Sequence, residues 1–457
     1  MSYQPNSMRA RDAAYQVHPA TDMIAHEEEG SLIMSRGKGI YLYDDSGKEY
    51  LEAMAGMWSA SLGFSESRLA EAAYAQLKLL PYSQTFTHRS NEPSIELAEN
   101  LIRIAPVPMS KVIFQGSGSD AADAAVKLAW YYHNAIGKPQ KRKVISRQRA
   151  YHGSSISSGS LTGLEAFHAS FNLPIEGVVR VSCPHYYSGA AAGETEEEFS
   201  TRLAAELEET ILREGPDTIA AFIAEPIMGV AGVIIPPIGY FEKVETVLKE
   251  HEILFIADEV ICGFGRTGKM WGTQSLDLHP DMITTAKALS ASYLPISAVM
   301  FTDRIYQAIR IESHRLGGFG HGYTYSGHPV CAAVANEAIK IYEERDIVSH
   351  VARVGDYLQR RLGNLKSHPL IGEVRGIGLA AGLELVRDKA TRTGFRSEEK
   401  VPQLVSAKAR DLGLIVRAAA SSVLMAPPLI ITEGEVDVLV ERLEHALDDA
   451  WAEISKQ

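Results

Sequence analysis

Short, almost uncharged runs rich in β-branched residues alternate with helical patterns through the middle of this chain, and that alternation narrows the folds open to it. KVIFQ (111–115), IAAFIA (219–224), ILFIAD (253–258) and ISAVMF (296–301) are such runs. Strands without a polar side suit a parallel sheet buried on both faces. Helical patterns at 120–133 and 240–250 lie between them, as βαβ units require. In 193–214, Phe199, Leu203, Leu207 and Ile211 recur every four residues and mark one helix face. The acidic run 196–198 opens that helix, where the dipole favours anions.

The chain ends read differently. GIYLYD and KEYLEA flank Asp45-Ser46-Gly47, a hairpin over 38–52. The last third carries one long helical pattern at 333–363 and strand candidates at 379–386, 414–417 and 423–426. A final helix starts at Thr432, with Glu435 completing a capping box. The expectation is an α/β chain: a large domain over 63–326 with a mostly parallel sheet, and a small α+β domain joining 1–62 to 327–457.

Composition excludes several classes of partner. With 45 Lys+Arg against 57 Asp+Glu the net charge is −12, which repels phosphate backbones and anionic membrane surfaces. No nucleic acid and no membrane are expected. Cys183, Cys262 and Cys331 are too few for a disulfide framework and point to a reducing compartment. The first twenty residues show no apolar leader, so the expected location is the cytoplasm. The 15 histidines show no ligand spacing, and no metal is expected.

P-loop, zinc-peptidase and nucleophile-elbow signatures are absent. Gly263 to Gly268 matches G-x-G-x-x-G, but Lys269-Met270-Trp271-Gly272 continues no helix and no acid follows about 20 residues on. The run reads as a structural loop, and a nicotinamide-dependent dehydrogenase rests on it alone.

Three other features agree with one another. Asp258 ends an apolar strand, where parallel sheets deliver residues to a ligand crevice; a helix cap or an ion pair is the plainer role. Lys287, in DMITTAKALSASY, also follows an apolar run. A partly buried lysine becomes a nucleophilic amine; a snorkelling surface lysine is the commoner fate. Gly116-Ser117-Gly118-Ser119-Asp120 opens a helix with hydroxyls and free N–H groups, which suits a phosphate and equally suits ordinary N-capping. A phosphate, an aldehyde for Lys287 and a basic ring nitrogen for Asp258 together describe pyridoxal 5'-phosphate. Tyr151-His152-Gly153 offers an aromatic ring for the pyridine face.

FIADEVICGFGRTGKMWG (255–272) followed by PDMITTAKALSASYLPISAV (280–299) resembles the signature of the class III pyridoxal-phosphate aminotransferases, in their omega (amine:pyruvate) branch. The resemblance runs from the Trp58 region to PPLIIT (427–432). It implies fold type I and a ping-pong transfer of an amino group from a primary amine or ω-amino acid to a keto acid, with pyruvate the expected acceptor. It implies that Lys287 is the Schiff-base lysine, that Asp258 pairs with the pyridinium nitrogen, and that Val260 packs on the ring face opposite Tyr151. Ser117, Gly118 and Ser119 match the phosphate cup, His152 and Glu225 match cofactor-side positions, and Thr324 matches a residue reaching the neighbouring subunit's phosphate. A homodimer with shared sites, or a tetramer, follows from the resemblance. Trp58, Phe86 and Tyr151 match aromatic positions of the substrate pocket, and Arg417 matches a mobile arginine that binds a substrate carboxylate. Ala418-Ala419-Ala420 stands where relatives carry a larger residue and often a glycine, which bears on substrate preference. An aminomutase, racemase or decarboxylase of the same fold is the alternative.

Overall fold

The computed structural model describes residue 4 and residues 6–456. Its central sheet has seven strands: β1 (Lys111–Gln115), β2 (Lys143–Arg147), β3 (Val178–Val181), β4 (Ile219–Ala224), β5 (Leu254–Asp258), β6 (Met282–Thr285) and β7 (Ser297–Phe301). They lie in the order β1-β7-β6-β5-β4-β2-β3. Of the seven, β7 runs antiparallel to its neighbours and the others share one direction. Every residue of β4 to β7 is buried, which is why these runs show no polar alternation. Helix α1 (Gly118–Ala135) packs on this sheet through a buried face rich in alanine, whose small side chains let helix and strands approach closely.

β2 and β3 escape the sequence pattern because they carry charge. Arg147 in β2 is buried, and its guanidinium donates to the carbonyl oxygen of Glu225. β6 and Ile371–Ile377 are further strands that the pattern does not single out. The glycine run 263–268 lies in turns and opens no helix.

Two smaller sheets belong to the chain ends. Met34–Lys38, Tyr41–Asp44 and Glu49–Glu52 form an antiparallel meander, and Leu414–Ile415 joins it in parallel beside Leu51 and Glu52. The other sheet orders Ile371–Ile377, Ala380–Asp388, Ser422–Met425 and Arg417–Ala419. The 414–417 strand candidate is therefore divided: Ile415 pairs with Glu52, while Arg417 pairs with Leu424.

The 333–363 pattern is also divided, into α2 (Pro329–Glu344) and α3 (Ile347–Gly363). Apolar spacing continues across the join, but Asp346 takes φ +47°. Aspartate tolerates the left-handed region better than most residues, so no glycine or proline marks the break. The final helix, Glu433–Ile454, starts with the Thr432/Glu435 capping box. Among the described residues no helix is long and apolar enough to cross a membrane, and all three cysteines are free.

Candidate active site

The C-terminal ends of β4, β5 and β6 meet the start of α1 at one cavity of about 420 Å³. Asp258 ends β5, Glu225 follows β4, and Lys287 lies two residues beyond β6. Ser117 caps α1, its hydroxyl accepting from the Asp120 N–H at 3.2 Å, and Gly118 and Ser119 begin the helix. These six, with Tyr151, His152 and Val260, all line the cavity.

Asp258 is buried and held from three sides. Its Oδ2 lies 2.7 Å from His152 Nδ1, and its Oδ1 accepts from Val260 N and Thr284 Oγ1, each at 3.1 Å. A carboxylate has about four acceptor positions, so capacity remains for a donor in the cavity. Glu225 is buried too, accepting from Tyr151 N at 3.0 Å and Gly229 N at 2.9 Å. Burial pushes its carboxyl above the usual range; His152 opposes that and Asp258 reinforces it.

Lys287 has a left-handed backbone, φ +48°, an uncommon conformation for a non-glycine residue and one often found at functional sites. Burial pushes its amine below the ordinary lysine value, and the anions Asp258 and Glu225 partly oppose the shift. Among the described residues Nζ has no hydrogen-bond or ion-pair partner. An amine so placed spends more of its time uncharged and nucleophilic.

The residues fit pyridoxal phosphate. A Cβ on Gly118 would stand 3.0 Å from Val260 Cγ1, so a side chain there would crowd the cradle at the helix start. That start offers N–H groups and two hydroxyls to a phosphate. The anion at 258 suits a protonated ring nitrogen, and the amine at 287 suits an aldehyde.

The profile of the family Aminotransferase class-III matches residues 23–447. The chain belongs to the class-III aminotransferases. It is a pyridoxal-phosphate-dependent transaminase of fold type I, an enzyme of amino-group transfer. A mitochondrial gamma-aminobutyrate transaminase of Oryza sativa subsp. indica is 48% identical over 417 residues, 91% of this chain and 81% of that protein. Vanillin aminotransferase of Capsicum frutescens is 48% identical over 419 residues, 92% of this chain and 91% of its own length. The omega transaminase of Pseudomonas jessenii, in complex with PMP, superposes with a TM-score of 0.97 at 50% identity, covering 98% of this chain and 99% of that one.

A second cavity of about 780 Å³ shares Met57, Tyr151 and Lys287 with the first. Trp58 and Arg417 line it. Trp58 comes from a turn with uncommon backbone: Ala55, Gly56 and Trp58 have φ of +47°, +65° and +64°. Buried Glu52 lies beneath this turn and accepts from Met54 N at 2.8 Å; burial pushes its carboxyl up to about 7. Arg417 Nη1 lies against Met57 Sδ. Among the described residues no carboxylate pairs with it.

Phe86 and Thr324 line neither cavity. Phe86 packs on Gly322, and Tyr82 Oη donates to the Thr324 carbonyl oxygen at 2.8 Å. Within one chain the expected aromatic trio is thus Trp58 and Tyr151 without Phe86. Sequence reasoning misses Met57, Thr284 and Glu52 as site residues. Thr284 precedes Lys287 by three positions, but only the register opposite Asp258 gives it a partner.

Proposed function

We propose that this aminotransferase takes its amino group from a primary amine or an ω-amino acid and gives it to pyruvate. Arg417 carries the proposal: a guanidinium that has no carboxylate partner among the described residues, in the wall of a largely apolar cavity that also holds Lys287. A guanidinium grips a carboxylate through two parallel hydrogen bonds, and the rings of Trp58 and Tyr151 accept the uncharged part of an amine. One pocket then serves amine and keto acid in turn. Relatives named for γ-aminobutyrate and for vanillin span a similar range.

Pyridoxal phosphate, when bound, supplies a carbonyl that takes up the amino group and a ring that accepts electrons. Ser117, Gly118 and Ser119 would hold its phosphate and Asp258 its ring nitrogen, with Tyr151, Val260 and Glu225 as other side chains that would line its site. His152 keeps the Asp258 carboxylate oriented. Lys287 Nζ would take the proton from the substrate carbon that bears nitrogen, hold it, and deliver it on the cofactor side rather than back to that carbon.

In this reading the enzyme is a homodimer, or a tetramer. Tyr82, Phe86 and Tyr325 form an exposed aromatic patch; a second copy seated there brings Thr324 to the partner's phosphate and Phe86 to the partner's substrate cavity. The large domain at 63–326, the small domain from 1–62 with 327–457, and a cytoplasmic location belong to the same reading, although the rice relative is mitochondrial.

The test is a half-reaction. An amine added to holoenzyme without keto acid is expected to bleach the bound cofactor's absorbance, and pyruvate to restore it. In Arg417→Ala, donors bearing a carboxylate lose about 10- to 100-fold while 1-phenylethylamine is spared. An equal loss for both donor types sinks the role of Arg417, and no bleaching with any primary amine sinks the whole proposal.

A further inference from the structure

Arg417 stands on a tight hairpin, and the charges beneath that hairpin have no part in the chemistry described above. Arg417 pairs with Leu424 and Ala419 with Ser422, leaving Ala420-Ser421 as a two-residue turn. Ala420 takes φ +47°, a position that glycine or asparagine fills more readily. Something must therefore hold the turn in shape.

Glu384 lies under it and accepts from both serine hydroxyls, Ser421 at Oε1 and Ser422 at Oε2, the latter at 2.8 Å. Arg375 Nη1 pairs with the same Oε2 at 2.8 Å and with Glu373 Oε2 at 2.7 Å. Its Nη2 donates to Ser422 Oγ at 2.7 Å, and its Nε to the Gly232 carbonyl oxygen at 2.7 Å. Arg375 and Glu384 are each 8% exposed, so salt screens them little. Glycine is required at 232: a Cβ there would come within 2.5 Å of Arg375 Nη2. His185, Glu373 and Glu384 bring metal-type ligand atoms together, but the Arg375 guanidinium already sits between the two carboxylates as their cation. The network thus ties the Arg417 hairpin to loop 229–232, whose Gly229 in turn donates to Glu225 at the cofactor cavity.

We propose that Glu384, held by Arg375, is the positioning residue that fixes the Arg417 hairpin and thereby sets how well the enzyme binds carboxylate-bearing substrates. This rests on the reading of Arg417 as the carboxylate-binding group. Burial pushes the Glu384 carboxyl up, but Arg375 and the two serine hydroxyls outweigh it and hold it below the ordinary range. Glu384 is therefore an anion at working pH and keeps both serines as donors.

The test compares wild type, Glu384→Gln, Arg417→Ala and the double variant in the half-reaction with L-alanine and with 1-phenylethylamine. Glu384→Gln is expected to raise the half-saturating L-alanine concentration roughly fivefold, to keep the limiting rate within about twofold, and to leave both constants for 1-phenylethylamine unchanged. In the Arg417→Ala background the same substitution is expected to add nothing. A loss shared by both donors, a loss confined to the limiting rate, or full additivity with Arg417→Ala overturns the positioning role. If Arg417→Ala itself spares L-alanine, the reading of Arg417 is the part that fails. Ser421→Ala removes one hydroxyl and leaves the Arg375–Glu384 pair intact, which guards against misfolding of Glu384→Gln; a smaller shift in the same direction is expected, and no shift in either variant also overturns the proposal.

Discussion

The proposed cofactor cavity draws on the ends of β4, β5 and β6 and the start of α1, whereas in the proposed substrate cavity Trp58 comes from a turn at 54–58 and Arg417 from a hairpin at 417–425. In the first, Asp258, Glu225, Lys287, Ser117, Gly118 and Ser119 lie in or within two residues of a regular element of the sheet layer, and Tyr151 and His152 come from the loop after β2. In the second, the backbone is in uncommon conformations at Ala55, Gly56, Trp58 and Ala420, and buried carboxylates, Glu52 and Glu384, hold it from below. A strand end moves only if the sheet moves. A turn held by one carboxylate moves when that carboxylate loses its charge or its partner. In the proposed reading, chemistry sits on the stiffer support and selectivity on the more adjustable one.

That contrast can be broken at either side. The largest effect is expected for Lys287→Ala: amine-driven bleaching and steady-state turnover fall by about a thousandfold or more with every donor, and retention of a tenth of the wild-type rate would remove Lys287 from the reaction. Asp258→Asn is expected to lower the limiting rate roughly a hundredfold, equally for L-alanine and 1-phenylethylamine; a donor-selective loss would move Asp258 to the substrate side. Gly118→Ala pushes a methyl toward Val260 and is expected to weaken pyridoxal phosphate binding about tenfold, or about 1.4 kcal/mol, measured by equilibrium dialysis. Turnover at saturating cofactor is expected to survive, and unchanged cofactor affinity would show the cradle to be loose.

The smallest effect on rate is expected at Glu52, where stability is the sharper readout. Its carboxyl titrates at about 7 in the folded chain against an ordinary 4.5. Between those values the native state binds more protons than the unfolded state, so stability falls as pH rises. The stabilisation is fully present below pH 4.5 and is lost as pH passes 7. Glu52→Gln cannot titrate, so from pH 5 to 8 wild type is expected to lose up to about 3 kcal/mol relative to the variant. The thermal midpoint difference should change by a few degrees over that range; parallel pH curves would clear Glu52 of any such burden.

The cofactor half is the more legible of the two in the sequence. An aspartate closing ILFIAD, a lysine after ITTA and a glycine–serine turn before an alanine-rich helix are local patterns, and strand ends in a parallel sheet converge whatever else the chain does. The substrate half is less so. LIVR (414–417) reads as one strand, yet its residues go to two sheets because Ile415 finds Glu52 while Arg417 finds Leu424. Phe86 reads as a pocket residue, yet it lines neither of this chain's own cavities, while Thr324 reads as a residue aimed at a neighbouring subunit.

By itself the sequence determines the alternation of buried strands and helices and the chemical types available at their ends, because period and residue identity are local properties. Tertiary packing alone decides that Arg417 meets Met57 across 360 residues, that Thr284 and His152 grip the Asp258 carboxylate, and that Arg375 and Glu384 share one buried charge pair beneath the hairpin. Nothing in the spacing of such residues encodes their distance; that is set by which faces the folded chain presses together.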